Sequence, residues 1–150
     1  MITGTTKQPV KGNINNVYRY IKSNEKSILN EQHSLNNYDL NLQVTTMLGK
    51  GISTSIGGAV FVAILSAIYK RNLKSGLAIL GDLSIGGAIE RENNFVDKIA
   101  TLSENGAKNI LVPLDNLSEL NEAPKTIFTV TDIQFYSNSQ MVLQKALLGE

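Results

Sequence analysis

The stretch from Gly49 to Lys70, GKGISTSIGGAVFVAILSAIYK, constrains the fold more than any other part of the chain. Its second half, from Ile56 to Tyr69, is apolar on every helical face, and this pattern predicts a core helix that is packed on several sides. The apolar run has 14 residues, whereas a membrane span needs roughly 20, so it predicts no membrane segment. Glycines and hydroxyls stand directly before this helix, and the sequence raises the question of what they do there.

Three uses of the hydroxyls Ser53, Thr54 and Ser55 stay open at this point. Hydroxyls before a helix are commonly N-caps, which accept hydrogen bonds from the unpaired amides of the first turn. Gly57 and Gly58, however, cost about 1 kcal/mol each relative to alanine within a helix, which indicates that another group comes close to the backbone. Amides at a helix start also stabilise negative charge, either on a bound phosphate or on the oxyanion of an acyl transfer.

The phosphate interpretation is weak in its details. The segment Gly49-Lys50-Gly51 lacks the Ser or Thr that follows the lysine of a nucleotide-binding P-loop and contacts magnesium. The loop GISTSIGGA is more similar to the Gly-Ser loop of small-molecule kinases of the galactokinase and mevalonate kinase type. Those enzymes need a considerably longer chain, with a second domain for the substrate.

The helix predicted over residues 94–104 carries a lysine on its apolar face. The residues that share this face, at i, i+3, i+4 and i+7, are Phe95, Lys98, Ile99 and Leu102. Such a lysine either extends its ammonium into water or loses the solvation of its charged form and serves as a base near neutral pH. A serine nucleophile needs a base of this kind. The single histidine, His33, lies in a polar stretch that predicts a surface side chain.

Composition indicates an ordinary globular protein and excludes several function classes. With 150 residues, of which 42% are hydrophobic and 18% charged, the chain is long enough for one domain with a buried core. A formal net charge of +1 without a basic stripe argues against a broad nucleic-acid surface. The absence of cysteine excludes disulfides and thiolate metal sites and fits a reducing cytoplasm. No second ligand accompanies His33, so we expect no metal site.

Periodicity predicts strands that alternate with helices, and hence a layered α/β (α+β) domain. Residues 1–12 show no periodicity and predict a linker, which leaves 13–150 as the domain. Helices are predicted at 16–35 (with a polar interruption at 23–26), 56–70, 94–104 and 140–148, with a single helical turn at 115–120. Asn105-Gly106 predicts a left-handed cap at the end of the helix at 94–104. Strands are predicted at 39–45, 77–80, 110–113, 126–131 and 133–136. Residues 84–89 either continue the strand at 77–80 or pair as a hairpin through Gly86-Gly87.

Four segments between Asp39 and Leu148 resemble the protease domain of the Lon family of ATP-dependent proteases. They are the strand DLNLQV, TSIG for the family's PSAG, GDLS for its GEIT or GEIS, and VDKIA with GAKNILVP for its KEKL with GIKTVILP. The match from the serine to Pro113 needs no gap. The resemblance implies the Lon protease fold, a layered fold similar to ribosomal protein domain 2 and to GHMP kinases.

The resemblance also implies a Ser-Lys catalytic dyad. Ser55 matches the family's nucleophilic serine and Lys98 its catalytic lysine, and their separation of 43 residues equals that of the family. Ser55 would attack a peptide carbonyl with Lys98 as general base, and the amides of Ile56 and Gly57 would hold the oxyanion. Falling pH should stop the reaction, because protonation removes the base.

Several positions depart from the family pattern. Ile52 stands where the family has an acidic residue, Thr54 replaces the proline before the serine, and Leu80 replaces a Thr or Ser whose hydroxyl helps to hold the lysine. The segment ERENN at 90–94 replaces the family's LPVGG. Two hypotheses therefore stay open, an active peptidase and a catalytically degenerate domain that serves as an oligomerisation scaffold.

The segment LAILGDLSIGGAI is similar to one branch of the family, the C-terminal domain of the Lon-like AAA+ protein of BREX phage-defence systems. In that branch the domain follows an ATPase module and assembles into rings. The implied partners are an AAA+ ATPase module, further copies in a homo-oligomeric ring and an unfolded protein or peptide substrate, with DNA reached only through other domains. ATP and Mg would serve the ATPase module, so no cofactor is implied for this domain, and alone it should be a slow peptidase.

Overall fold

The computed structural model describes residues 2–3, 8–29, 32–43 and 56–149. The α-helices are α1 (Gln8–Ser23), α2 (Glu25–Ile28), α3 (Gly57–Tyr69), α4 (Phe95–Glu104), α5 (Ile127–Val130) and α6 (Ser139–Ala146). The strands are β1 (Ile2–Thr3), β2 (Leu42–Gln43), β3 (Leu77–Ile79), β4 (Asp82–Leu83), β5 (Ile89–Glu90), β6 (Asn109–Pro113) and β7 (Asp132–Tyr136). Two 3-10 helices cover Leu35–Asn37 and Leu114–Glu122.

A parallel sheet in the order β3–β6–β7 forms the middle layer. The central strand β6 reads NILVP and is buried from its second residue on, as expected of a strand that is covered on both faces. Leu77 lies opposite Asn109, and Asn109 lies opposite Asp132, so the three strands are in step. Their carboxyl ends therefore meet at one edge of the sheet.

Side chains that alternate along these strands contribute to two separate cores. On one face, the strand residues that pack with α1, α3 and α6 are Leu77, Ile79, Leu111 and Tyr136. On the other face, those that pack with α4 and α5 are Ala78, Ile110, Val112, Ile133 and Phe135. This arrangement of helices on both faces of a parallel sheet confirms the layered α/β fold.

Helix α3 lies at the centre of the first core, as its uniform apolarity predicts. Phe61, Val62 and Leu65 are at most 1% exposed, and the helix packs against both α1 and α6. Lys70 ends it in a left-handed conformation. In the ranges that the structure describes, no helix has the length and hydropathy needed to cross a membrane.

The predicted turn signals are confirmed where they can be checked. The antiparallel strands β4 and β5 form the hairpin expected around Gly86-Gly87. Gly106 follows α4 with φ 92°, and its N–H donates to Ser103 while that of Ala107 donates to Leu102. These two hydrogen bonds form a Schellman motif, which satisfies the last carbonyls of the helix.

The strand predicted at 126–131 is wrong, because this segment forms the short helix α5. The N–H of Ile127 donates to the carbonyl of Pro124, and the Thr129 hydroxyl donates to the carbonyl of Thr126. Ile127 is anchored in the second core, whereas Phe128 and Val130 are exposed. Local turn hydrogen bonds and one buried anchor therefore outweigh the β propensity of these residues.

The amino-terminal segment is more regular than its sequence predicts. β1 pairs in parallel with β2, and α1 begins at Gln8, within the segment for which the sequence predicts a linker. The predicted polar interruption is confirmed as the break at Asn24 between α1 and α2. The helix predicted to reach residue 35 ends at Ile28 instead.

Candidate active site

The first turn of α3 lies against the turn at Gly81-Asp82 that follows β3. The N–H of Gly58 donates to the carbonyl of Gly81 over 3.2 Å. Gly81 has φ 106°, a conformation that glycine adopts without steric cost, and it leads the chain from the parallel sheet into β4. The contact lies at the carboxyl ends of the parallel strands, where open α/β sheets bind their ligands.

Close packing explains the two glycines at the start of α3. A Cβ on Gly57 would overlap the carboxylate of Asp82 and would lie 2.7 Å from the backbone nitrogen of Leu83. A Cβ on Gly58 would lie 2.9 Å from the hydroxyl of Tyr136. The close approach that these glycines predict is therefore confirmed. The groups that approach the helix are side chains and backbone of the chain itself.

The carboxylate of Asp82 caps α3 from outside the helix. The N-cap residue is Ile56, whose apolar side chain makes no capping hydrogen bond. Asp82 accepts hydrogen bonds from the N–H of Leu83, over 2.8 Å, and from the N–H of Gly57. Because negative charge is favourable at a helix N-terminus, this carboxylate takes the place that the sequence offers to a hydroxyl cap or a bound anion.

Burial raises the pKa of the Asp82 carboxyl above its ordinary value. Loss of solvation is the largest cause, and the negative charges of Glu90 and Glu92 act in the same direction. The hydrogen bonds from Leu83 and Gly57 oppose this shift without cancelling it. The charged form of Asp82 therefore costs stability at neutral pH.

We expect the Asp82→Asn variant to be more stable than the wild type at about pH 7, with a gain that shrinks as the pH falls. The folded chain holds the Asp82 proton more tightly than the unfolded chain, whose pKa is 3.8. The contribution of Asp82 to the stability of the wild type therefore becomes less unfavourable as the pH falls through the folded value toward 3.8. Asparagine does not titrate and keeps an acceptor oxygen for the two amides.

Urea unfolding of both proteins between about pH 7 and pH 4 measures this difference. Glu104→Gln removes an exposed carboxylate and serves as the control, which should show no comparable trend relative to the wild type. A stability difference between Asp82→Asn and wild type that is constant with pH would contradict the assignment of Asp82 as the titrating group.

Lys98 forms an ion pair with Glu92. The lysine lies on α4 beside the buried residues Phe95 and Ile99, and its side chain is 24% exposed. Its Nζ donates to Oε1 of Glu92, whose side chain is 2% exposed. The sequence suggests that the Lys98 amine lies either in water or in an apolar site. Neither alternative includes an ion pair with a buried carboxylate.

Glu92 is itself held by two neighbouring segments. Its Oε2 accepts a hydrogen bond from the N–H of Gly81 over 2.8 Å. Asn116, in the 3-10 helix after β6, is fully buried. The Asn116 side chain accepts from the Glu92 N–H and donates to the Glu92 carbonyl, both over 2.9 Å. Asn116 therefore fixes the backbone of Glu92, while Gly81 fixes its carboxylate.

A series of hydrogen bonds joins Lys98 to the start of α3. Lys98 donates to Glu92, Glu92 accepts from the N–H of Gly81, and the carbonyl of Gly81 accepts from the N–H of Gly58. The predicted site positions that lie outside the described residues are Ile52, Thr54 and Ser55. The predicted residues Ile56, Gly57 and Lys98 are described, and the series connects Lys98 through Glu92 and Gly81 to Gly58, in the first turn of α3.

Sequence reasoning missed Asp82, Glu92 and Asn116 as members of this site. The available signal was the acidic segment ERENN, which precedes Lys98. Leu80, whose lack of a hydroxyl leaves it unable to hold the lysine, packs against the second core. Glu92 is therefore the residue that holds Lys98 in this chain.

The single histidine lies at the opposite end of α3. The ring of His33 packs edge-on against Tyr69, the last residue of this helix, and its Nδ1 lies 2.5 Å from the hydroxyl of Tyr38. Gly57 and Tyr69 are about 18 Å apart along the helix axis. His33 is half-buried rather than on the surface as predicted. Across the described ranges, no three His, Cys, Asp or Glu side chains are grouped as a metal site.

Comparison with known proteins gives a consistent match. The family model described as the Lon protease (S16) C-terminal proteolytic domain matches residues 1–149. A Lon-like protease BrxL of Bacillus cereus (strain H3081.97) is 26% identical over 137 residues, which cover 91% of this chain and 20% of that protein. A Lon-like protease BrxL of Escherichia coli O9:H4 (strain HS) is 24% identical, with 91% of this chain and 18% of that protein covered.

A Lon protease of Buchnera aphidicola subsp. Schizaphis graminum (strain Sg) is 25% identical over 145 residues, which cover 97% of this chain and 19% of that protein. The chain therefore spans about a fifth of the length of the curated relatives that it matches.

Proposed function

The chain belongs to the Lon protease (S16) C-terminal proteolytic domain family, and from this premise we propose that it hydrolyses peptide bonds with a Ser55–Lys98 dyad. The fold agrees with a Lon protease domain. The observation that carries the proposal is the series of hydrogen bonds through Glu92 and Gly81, because it connects the Lys98 side chain to the first turn of α3.

In the proposed reaction, the Ser55 oxygen attacks the carbonyl carbon of a peptide while the neutral amine of Lys98 accepts the hydroxyl proton. The carbonyl oxygen becomes an oxyanion, which the amides of Ile56 and Gly57 would stabilise. Lys98 then returns the proton to the leaving amine as the C–N bond breaks, and an acyl-enzyme remains. A water molecule, deprotonated by Lys98, hydrolyses the acyl-enzyme and regenerates Ser55.

Two features of the site must change before this reaction can occur. The N–H of Gly57 is engaged with Asp82 in this structure, so it would have to exchange this carboxylate for the oxyanion. Lys98 is paired with Glu92, and a base must present a free electron pair. These two contacts also support the second candidate function, a catalytically degenerate domain that serves as an oligomerisation scaffold.

A fluorophosphonate probe, which phosphonylates activated serines, tests the proposal. We expect selective labelling at Ser55, identified by mass spectrometry of the labelled peptide, and loss of labelling in Lys98→Ala. Lys74→Ala is the matched control, since Lys74 is also half-buried and has no ion pair among the described residues. Labelling of a different serine, or labelling of Ser55 that survives in Lys98→Ala, would contradict the dyad. A folded chain that the probe leaves unlabelled even after Glu92→Gln would favour the scaffold.

The biological setting is part of the same proposal. We propose that the chain serves in the cytoplasm as the C-terminal domain of a Lon-like AAA+ protein of phage defence, and the name of two relatives, Lon-like protease BrxL, agrees with the Lon-like part of this role. There, residues 13–150 would form the proteolytic domain of a homo-oligomeric ring that receives unfolded protein or peptide from an ATPase module. ATP and Mg would be used by that module, and the Ser-Lys chemistry itself requires no cofactor.

A further inference from the structure

We propose that Glu92 is a positioning residue that holds Lys98 as an ammonium ion and thereby keeps the dyad in a resting state. This inference deepens the proposed function and rests on it for its catalytic consequence. Its structural content, a buried carboxylate that engages the lysine, rests on contacts alone. Activation then requires that Lys98 leave Glu92, or that Glu92 take up the lysine's proton.

The position of the Glu92 carboxylate is set by the fold. One carboxylate oxygen accepts from Gly81 and the other from Lys98, while Asn116 pairs with both main-chain groups of Glu92. Glu92 and Asn116 are at most 2% exposed. Because Glu92 is held at its backbone and at one carboxylate oxygen, its other oxygen has a fixed position. The Lys98 ammonium therefore binds at that position.

The charge of this pair determines what Lys98 can do. A carboxylate beside an ammonium stabilises the charged forms of both groups. A protonated amine has no free electron pair and cannot accept the proton of a serine hydroxyl. The contact that positions Lys98 therefore also prevents it from acting as a base until the contact is broken.

Other charges around the pair do not replace this contact. The further charged or titratable groups near it are Asp82, Glu90, Arg91, Glu119 and Tyr136. Arg91 is paired with Glu119, and the negative charges of Glu90 and Glu92 both act on Asp82. The hydroxyl of Tyr136 donates to the carbonyl of Leu80. Within the described residues, Lys98 is therefore the cation that compensates the buried charge of Glu92.

The test is trace acetylation of the folded wild type with acetic anhydride near neutral pH, with the rate at each lysine measured by mass spectrometry. Acetylation requires a free and accessible amine, and the amine of Lys98 is engaged by Glu92, so we expect Lys98 to react several-fold more slowly than Lys74. Lys74 is the matched internal standard, because it is also half-buried. Equal rates at Lys98 and Lys74 would overturn the proposal without any variant.

Glu92→Gln then removes the charge and keeps the shape, and we expect it to abolish most of the protection of Lys98. Glu104→Gln removes a charge from the end of the same helix and should leave the protection unchanged. The amide introduced at position 92 can offer its oxygen to Gly81 or to Lys98 but not to both, so circular dichroism must confirm that this variant is folded. If it does not fold, the wild-type rates still decide the question. Protection of Lys98 that persists in folded Glu92→Gln would overturn the proposal.

The catalytic consequence is read from the rate of hydrolysis of fluorescein-labelled casein at neutral pH. In Glu92→Gln we expect this rate to rise, because the amine of Lys98 is released from its partner, whereas a purely structural role of Glu92 would lower it. An unchanged or lower rate in the folded variant would overturn the resting-state role. If the fluorophosphonate labels Ser55 in neither the wild type nor folded Glu92→Gln while Lys98 is protected by Glu92, the ion pair stands and the proposed peptidase function fails.

Discussion

Replacement of Ser55 by alanine is expected to lower the hydrolysis of fluorescein-labelled casein by roughly a thousandfold or more, because no nucleophile remains. Lys98→Ala should cause a loss of similar size, since a serine hydroxyl is almost never ionised at neutral pH without a base. The two losses should not add in the double variant, because residues that act as one unit are strongly non-additive.

The matched controls for this experiment are a neighbouring hydroxyl and a comparable lysine. Ser53→Ala removes a hydroxyl from the same segment, and Lys74→Ala removes a half-buried lysine that lies outside the site. Both should keep activity near that of the wild type. Activity that survives in Ser55→Ala or in Lys98→Ala would show that the hydrolysis uses a different nucleophile or a different base.

Gly81→Ala is expected to destabilise the fold by about 3 kcal/mol or more and to disrupt the site with it. A Cβ at this position would lie 2.5 Å from the hydroxyl of Tyr136 and 2.6 Å from Cγ of Pro113. The φ of 106° adds strain for any residue other than glycine. Gly81 also bonds to both Glu92 and Gly58, so a displaced turn would separate Lys98 from α3.

Gly106→Ala separates these causes. Gly106 has φ 92°, but a Cβ there would meet no atom within 4 Å, so this variant carries the backbone strain without the overlap and should cost about 1 kcal/mol. Urea unfolding of both variants measures the difference in free energy of unfolding. Equal losses in Gly81→Ala and Gly106→Ala would contradict the close packing of the turn against Tyr136 and Pro113.

The layered fold could be predicted because its signals are local. The uniform apolarity of α3 and the apolar run of β6 require burial on several sides, and the Asn105-Gly106 cap marks the end of α4. The segment at 126–131 shows where local reasoning fails. Its β-branched residues favour a strand, but Ile127 is anchored in the second core by tertiary contacts, and the turn that begins at Pro124 then forms in place of a strand.

The site could be predicted only in part, for a related reason. Glycines at a helix start indicate close approach, yet the sequence does not show that the approaching group is Asp82, which lies 25 residues after Gly57. Lys98 is recognisable by its spacing, whereas Glu92 and Asn116 meet through a pairing across 24 residues. Contacts of this kind depend on how the turns after β3 and β6 are placed in the fold. They cannot be predicted from the spacing of residues within one helix or strand.

The distance between the Ser55 oxygen and Lys98 Nζ tests the central claim most directly. A crystal structure of the chain after reaction with a fluorophosphonate would fix Ser55 as its phosphonate ester. We expect Nζ of Lys98 within about 3.2 Å of the Ser55 oxygen, with the phosphonate oxygen facing the amides at the start of α3. If Nζ of Lys98 lies well beyond hydrogen-bond distance of the Ser55 oxygen, with the Glu92 carboxylate between them, the account is contradicted.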